Sequence, residues 1–401
     1  MQLESKTSSA PARTDIARDT FSLVGAIKEK LQRVVASGLY RSGLLPFVRR
    51  MERTHEVLPA GGSRLSRLRR TSVSKFGILC YHRVGTEGVP LFSRLEPAVF
   101  EAQLRYLKKN YRIVPLGQLC RELQEGNQVT PTLAITFDDG YRDLYTYAFP
   151  VLQKYGIPAT IYLIGRSMAT GEAPWYDRIF VALACASVAT LDIEMGTLRQ
   201  FTLSTPALRA SAAWEIVCYL RSISDSQRQK WCSLFERQIS PPAGRLEGRM
   251  LSWEHVRAMQ RGGVFFAAHT MTHPSVSRLE PAAFHEEFVV TKQLLEDGLG
   301  APVEDFAYPF GRPADVSSEA RDFLARSGYR SAVTTIEGFN STGGNLHMLN
   351  RLQIGDDRSM PWFAFGVARM FLEAPANSYS KYEIAVRDQQ NVQAATRRSD
   401  S

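Results

Sequence analysis

Short, wholly apolar runs alternate along the chain with stretches whose apolar residues recur every three to four positions. FGILCYH (76–82), TLAITF (132–137), ATIYLI (159–164), VFFAAH (264–269) and DFAYPF (305–310) are of the first kind, followed by SAVTT (331–335) and LNRLQI (349–354). Continuous runs of this length read as strands buried on both faces. Between them the spacing predicts helices. One starts at Pro97 with Phe100, Leu104 and Leu107 on one face, and others cover 143–155, 253–261 after a Ser252 cap, 281–299 and 316–327. Strands alternating with helices predict a parallel sheet with covered faces. The number of units fits a barrel better than a two-layer domain.

Residues 166–250 break the rhythm. They open on Pro174-Trp175-Tyr176-Asp177 and continue with helical patterns near 178–188 and 206–238. This predicts a mostly helical insertion between two barrel units. At the N-terminus, Phe21, Val24, Ile27, Leu31, Val34, Val35 and Leu39 form one helical face, with Lys28, Lys30 and Arg33 off it, and Leu44 to Val48 end in Arg49-Arg50. Two readings fit: a helix packed on the main domain, or peripheral contact of residues 21–50 with an anionic membrane surface. Residues 59–75 read as a basic linker and the stretch after Leu372 as a polar tail. The expected division is therefore 1–75, 76–372 (with the insertion at 166–250) and 373–401.

Composition narrows the function classes. With 401 residues and 44% hydrophobic content, disorder throughout is excluded. No apolar run reaches the ~18 residues of a membrane-spanning helix. Residues 1–75 hold fifteen Lys and Arg against six Asp and Glu, which accounts for the whole net charge of +9. The body is neutral, which weighs against nucleic acid as a partner. Five cysteines, none in a CxxC pair, read as free thiols in a reducing compartment. The opening MQLESKTSSAPARTD has no apolar signal core, so a cytoplasmic location is expected, with membrane association through the basic helix as its variant.

The candidate chemistry sits at strand ends. Asp138 and Asp139 follow TLAITF. Two carboxylates there are too costly to bury unpaired, and neighbours in extended backbone point opposite ways. One can bind a metal while the other faces a water. His269 and His273, at i and i+4 after VFFAAH, are close enough on one turn to share an ion. With Asp139 they complete a two-His, one-carboxylate set with room for water. Phe306 to Arg312 (FAYPFGR) end a strand in Pro-aromatic-Gly, where an exposed backbone N–H could stabilise an oxyanion.

The runs TFDDGY, HTMTHP and FAYPFG, in this order, resemble the motifs of the polysaccharide deacetylase family (NodB homology domain, carbohydrate esterase family 4). The resemblance extends over roughly 76–365 and includes Tyr81-His82-Arg83-Val84 and Gly156-Ile157-Pro158-Ala159-Thr160. The insertion opening on Trp175-Tyr176-Asp177 is similar to members found with exopolysaccharide biosynthesis. The resemblance implies a distorted (β/α) barrel that removes N-acetyl groups from an amino-sugar-containing saccharide with one divalent ion, usually zinc. Asp139, His269 and His273 would be its ligands and Asp138 the general base. Tyr141 and Phe310, within the motifs, and Trp175, as a ring platform together with Tyr176, would meet the sugar.

The chain departs from the family in two places. Ala307 stands where many members carry an Arg that tunes the base. The run LNRLQI holds no His where many have the general acid. His82, at the end of the first strand, is the first candidate for that acid, since an imidazole titrates near ~6.5 and strand ends converge in a barrel. His347 is the second. Two competing readings remain: hydrolysis of another linear amide at the same site, and a non-catalytic saccharide-binding or scaffolding protein suggested by the missing Arg and His.

Overall fold

The computed structural model describes residues 32–42, 75–86, 94–126, 131–239, 241–242, 244–355 and 359–372. The first half of the body runs β1 (Lys75–Tyr81), α1 (Pro97–Asn110), β2 (Arg112–Ile113), α2 (Leu116–Glu125), β3 (Thr132–Phe137), α3 (Phe149–Tyr155) and β4 (Ala159–Leu163). Next comes the inserted region, with α4 (Gly165–Thr170), α5 (Trp175–Ala184), β5 (Thr190–Glu194), β6 (Leu198–Thr202), α6 (Pro206–Ser222) and α7 (Asp225–Gln238). The body resumes with α8 (Trp253–Arg261), β7 (Val264–Ala268), α9 (Thr291–Leu299), β8 (Asp305–Ala307), α10 (Ser318–Arg326) and β9 (Ser331–Val333). It ends with β10 (Asn340–Ser341), β11 (Leu352–Gln353) and α11 (Met360–Leu372).

The main sheet is ordered β10-β1-β3-β4-β7-β8-β9, and every pairing is parallel except that of β1 with β10. Alternate residues face opposite ways. Ile78, Ala134, Tyr162, Ala267, Ala307 and Val333 point inward and share a cluster with Leu116, Leu119 and Leu123 of α2. Leu79, Ile135, Phe137, Ile161 and Leu163 belong to the outer core, which also holds the apolar faces of α1, α8 and α9. Burial on both faces explains why these strands read as unbroken apolar runs.

The sheet curls and closes through an irregular seam. Leu349 pairs with Val333 beside β9, and β11 pairs with Leu79 and Cys80 of β1. Residues 349–353 therefore join the last strand to the first, giving the distorted (β/α) barrel that the resemblance implied. LNRLQI was expected as one strand; only Leu352–Gln353 is regular. The segment serves two neighbours, with the Arg351 amide on the Ile336 carbonyl and the Ile354 amide on that of Cys80.

The inserted helices pack around their own core of Ile179, Phe180, Leu183, Ala213, Ile216 and Phe235. Between them lies the β5–β6 hairpin, which helical spacing did not suggest. Its strand TLDIE alternates exposed and buried residues with period two. Residues 32–40 are helical, and Leu39 and Tyr40 pack on Ala364 and Ala368 of α11. Val34 and Val35 on this helix are 67% and 49% exposed. The rest of the expected 21–50 helix, nearly all of the basic linker and the polar tail lie outside the described residues. No helix among the described residues is long and apolar enough to cross a membrane.

Candidate active site

Asp138 and Asp139 leave the end of β3 in opposite directions. The inward series Ala134, Thr136, Asp138 continues the strand's alternation, so the Asp138 carboxylate lies inside the barrel. Asp139 then turns the chain at φ 72°. Among the described residues, four non-glycine residues have positive φ: Asp139, Thr270, His273 and Phe310. All four lie in the three motifs. Such backbone costs about 1–3 kcal/mol per residue and persists where the surroundings over-determine it, as at functional sites.

The Asp139 Oδ1 atom lies 3.5 Å from Nε2 of His269 and 3.5 Å from Nε2 of His273. The three residues are buried, and their donor atoms lie within 4.8 Å of one another. Ligands bound at about 2.0–2.2 Å to a tetrahedral ion sit ~3.4 Å apart, so both Asp139–imidazole distances match the spacing of ligands on one divalent cation. The His269 Nδ1 atom donates to the Ala307 carbonyl at 2.7 Å, which fixes the ring with its Nε2 toward Asp139. Burial works against charge on all three groups. Hydrogen bonds from the two imidazoles nevertheless hold Asp139 well below the usual carboxylate range. Burial lowers the pKa of His273, with His269 adding to that effect. His269, which faces both aspartates, is raised despite its burial.

Asp138 is held by a residue that the motif comparison had not identified. Arg351, fully buried in the seam, donates from its two terminal nitrogens to the two Asp138 oxygens, each at 2.7 Å. Its Nε donates to the Thr334 carbonyl and one terminal nitrogen also reaches Thr136. Burial would push Asp138 up, but the charge and hydrogen bonds of Arg351 overcome it and hold the carboxyl at about 2. The absence of Arg at position 307 therefore does not leave Asp138 without a cationic partner. The signal in the sequence was a lone cation inside the strand-like LNRLQI, a position tolerable only with an acidic partner. The Cys80 thiol also donates to Asp138 Oδ2 at 3.5 Å.

The His82 Nε2 atom stands 3.9 Å from Asp138 Oδ2, on the open side of the site, with 41% of the side chain exposed. His347 lies elsewhere, in a short turn with Nε2 on the Tyr329 carbonyl. Phe310 sits beside the loop that carries His273, its ring 5.0 Å from that of His273 and under the guanidinium of Arg221.

Trp175 differs from the expected open ring platform. Only 9% exposed, it lies beside Tyr176 and Phe310 with Arg228 over its face, and its indole N–H donates to the His273 carbonyl at 3.1 Å. The Tyr176 ring packs 4.8 Å from the His273 ring. Tyr141 is also buried, and its hydroxyl donates to Asp177, so its ring is not an open surface either. Burial raises Asp177 to about 6, with Arg249 nearby opposing the rise.

These contacts make the inserted region a brace for the loop that carries His273. Arg228 of α7 donates to the Thr272 hydroxyl, while buried Glu287 accepts from the Met271 and Thr272 amides and from that same hydroxyl. Arg221 of α6 grips both oxygens of Asp315, which also accepts from Ser275. The loop carrying His273 is thus pinned from two sides. Neither Glu287 nor Arg228 was identifiable from motif spacing.

The chain matches the polysaccharide deacetylase family over residues 125–332. It is 23% identical over 295 residues to YxkH of Bacillus subtilis, whose name assigns it provisionally to the same family; the match covers 73% of this chain and 75% of that protein. It is 34% identical over 88 residues to the poly-β-1,6-N-acetyl-D-glucosamine N-deacetylase of Escherichia coli K12, covering 21% of this chain and 13% of the relative. Among solved structures, the deacetylase PplD of Streptococcus pyogenes superposes with a TM-score of 0.51 at 21% identity, over 75% of this chain and 99% of that one, a likeness of fold. The family's pattern spans more than half of the sequence and includes Asp138, Asp139, His269 and His273, so the chain belongs to the polysaccharide deacetylases, hydrolases acting on carbon–nitrogen bonds other than peptide bonds.

Proposed function

We propose that the protein removes N-acetyl groups from an amino-sugar-containing polysaccharide during exopolysaccharide or surface polysaccharide biosynthesis, with zinc held by Asp139, His269 and His273. The observation that carries this reading is the division of labour between adjacent carboxylates: Asp139 faces two imidazoles, while Asp138 faces Arg351 and His82. The nitrogen-rich donor set suits zinc among the divalent ions. A zinc ion there would lower the pKa of a water toward ~7 and polarise the acetamide carbonyl. Asp138, kept ionised by Arg351, accepts the proton of the attacking water. His82, exposed toward solvent 3.9 Å from Asp138, gives a proton to the departing amine. Phe310 borders the acetyl group beside His273, and the backbone of its turn faces the developing oxyanion. The name of the Escherichia coli relative supports a poly-N-acetylglucosamine substrate. Arg351 removes one of the two grounds for a non-catalytic reading.

The five unpaired cysteines support a cytoplasmic location for the body, and exposed Val34 and Val35 support membrane contact by the N-terminal helix. Acetate release from N-acetylglucosamine oligomers, compared with simple linear amides, tests the substrate. Faster release from the simple amides would overturn the saccharide assignment.

A further inference from the structure

A second cluster of metal-ligating atoms lies on the other side of Asp138. Cys80, His82 and Asp138 each offer one donor atom, and the three lie within 4.8 Å of one another. The Cys80 Sγ atom is 3.5 Å from Asp138 Oδ2, and His82 Nε2 is 3.9 Å from the same oxygen. Bonds of about 2.3 Å to sulfur and 2.0–2.2 Å to nitrogen and oxygen place tetrahedral ligands ~3.4–3.6 Å apart. The sulfur–oxygen distance already satisfies this, and the part-exposed His82 ring must move inward to complete the set. Arg351 uses one acceptor site on each Asp138 oxygen, but a carboxylate oxygen has a second lone pair.

We propose that Cys80, His82 and Asp138 form a second cation site that takes thiophilic divalent ions, such as cadmium or excess zinc, and blocks the enzyme when filled. A thiolate, an imidazole and a carboxylate are a softer set than the two imidazoles and carboxylate of the first site. On binding, the Cys80 S–H bond breaks, the proton leaves to solvent and a metal–sulfur bond forms, with no change of oxidation state. The charge of Arg351 opposes a second cation, so this site fills after the first. The ion occupies the proton acceptor and the proton donor together, which is why it inhibits; that consequence rests on the catalytic reading above, whereas the binding does not.

The test uses holoenzyme carrying one equivalent of zinc, with Cys185, Cys218 and Cys232 replaced by Ser, titrated with cadmium chloride. We expect an ultraviolet cadmium–thiolate charge-transfer band that saturates at one equivalent, is abolished by Cys80→Ser and is weakened about tenfold or more by His82→Ala, which removes one of three protein ligands. The first site contains no sulfur and contributes no such band. No band in the parent protein, or a band surviving Cys80→Ser, overturns the proposal. If Cys80→Ser fails to fold, an unchanged cadmium affinity in His82→Ala overturns it. Acetate release measured alongside keeps the two readings apart: a saturated band with undiminished turnover leaves the site standing and removes Asp138 and His82 from the chemistry.

Discussion

Arg351 holds both carboxylate oxygens of Asp138 at 2.7 Å from within the segment that joins the last strand of the barrel to the first. Closure of the fold and placement of the Asp138 counter-ion are therefore a single structural event. Arg351→Met leaves a buried carboxylate without its counter-ion, so burial then raises the Asp138 pKa. The acid limb of the pH–rate profile should move to higher pH, and stability should fall by about 3–5 kcal/mol. In the wild type the Asp138 pKa is depressed, so its contribution to stability is fully present above about pH 4 and is lost as pH falls toward about 2. An unchanged acid limb in Arg351→Met would show that Arg351 does not set the base.

The adjacent aspartates should separate cleanly. Asp138→Asn is expected to retain the metal and lose ~10²–10⁴-fold in turnover, the usual contribution of a general base. Asp139→Asn, like His269→Ala and His273→Ala, should lose most of the metal, since two protein ligands are too few for a stable site. Metal content by elemental analysis beside turnover checks the division. Recovery of Asp138→Asn to near full activity in excess metal would reverse the assignment.

Trp175→Phe distinguishes a brace from a sugar platform. Phe keeps an aromatic face but has no N–H for the His273 carbonyl, a hydrogen bond worth about 1 kcal/mol. Metal affinity should drop roughly fivefold, with KM for the oligosaccharide nearly unchanged. A raised KM with unaltered metal affinity would assign the indole to the substrate.

His82→Ala should lower turnover by on the order of 10²-fold while the first metal site stays filled. His347→Ala should do far less, because its ring is bonded to the Tyr329 carbonyl away from the aspartates. Equal activity of His82→Ala and wild type would place the proton donor elsewhere, with Asp138 the remaining group.

Much of this organisation was legible in the sequence because it rests on local patterns. Burial on both faces makes β1, β3, β4 and β7 read as apolar runs, and the strand ends put Asp138 and His269 where the chain turns. The candidate metal-ligand set is readable because two His at i, i+4 and a strand-end Asp carry their spacing with them. Arg351 was missed because its partner is 213 positions away and the pairing depends on barrel closure. Trp175 reads as an open ring in the sequence and is buried in the structure, because its surroundings, Arg228 and Phe310, come from different parts of the chain. The β5–β6 hairpin was missed because only alternate positions of β5 and a single position of β6 are buried, a signal weaker than the helical patterns on either side.

Acetate release from poly-β-1,6-N-acetylglucosamine by protein stripped with a chelator and then reloaded with zinc tests the central claim most directly. The stripped protein should be inactive, and activity should return in full at one zinc per chain, except in Asp138→Asn, which should take up the zinc and stay nearly inactive. Acetate release at an undiminished rate by metal-free protein, or none from the fully reloaded wild type, would contradict it.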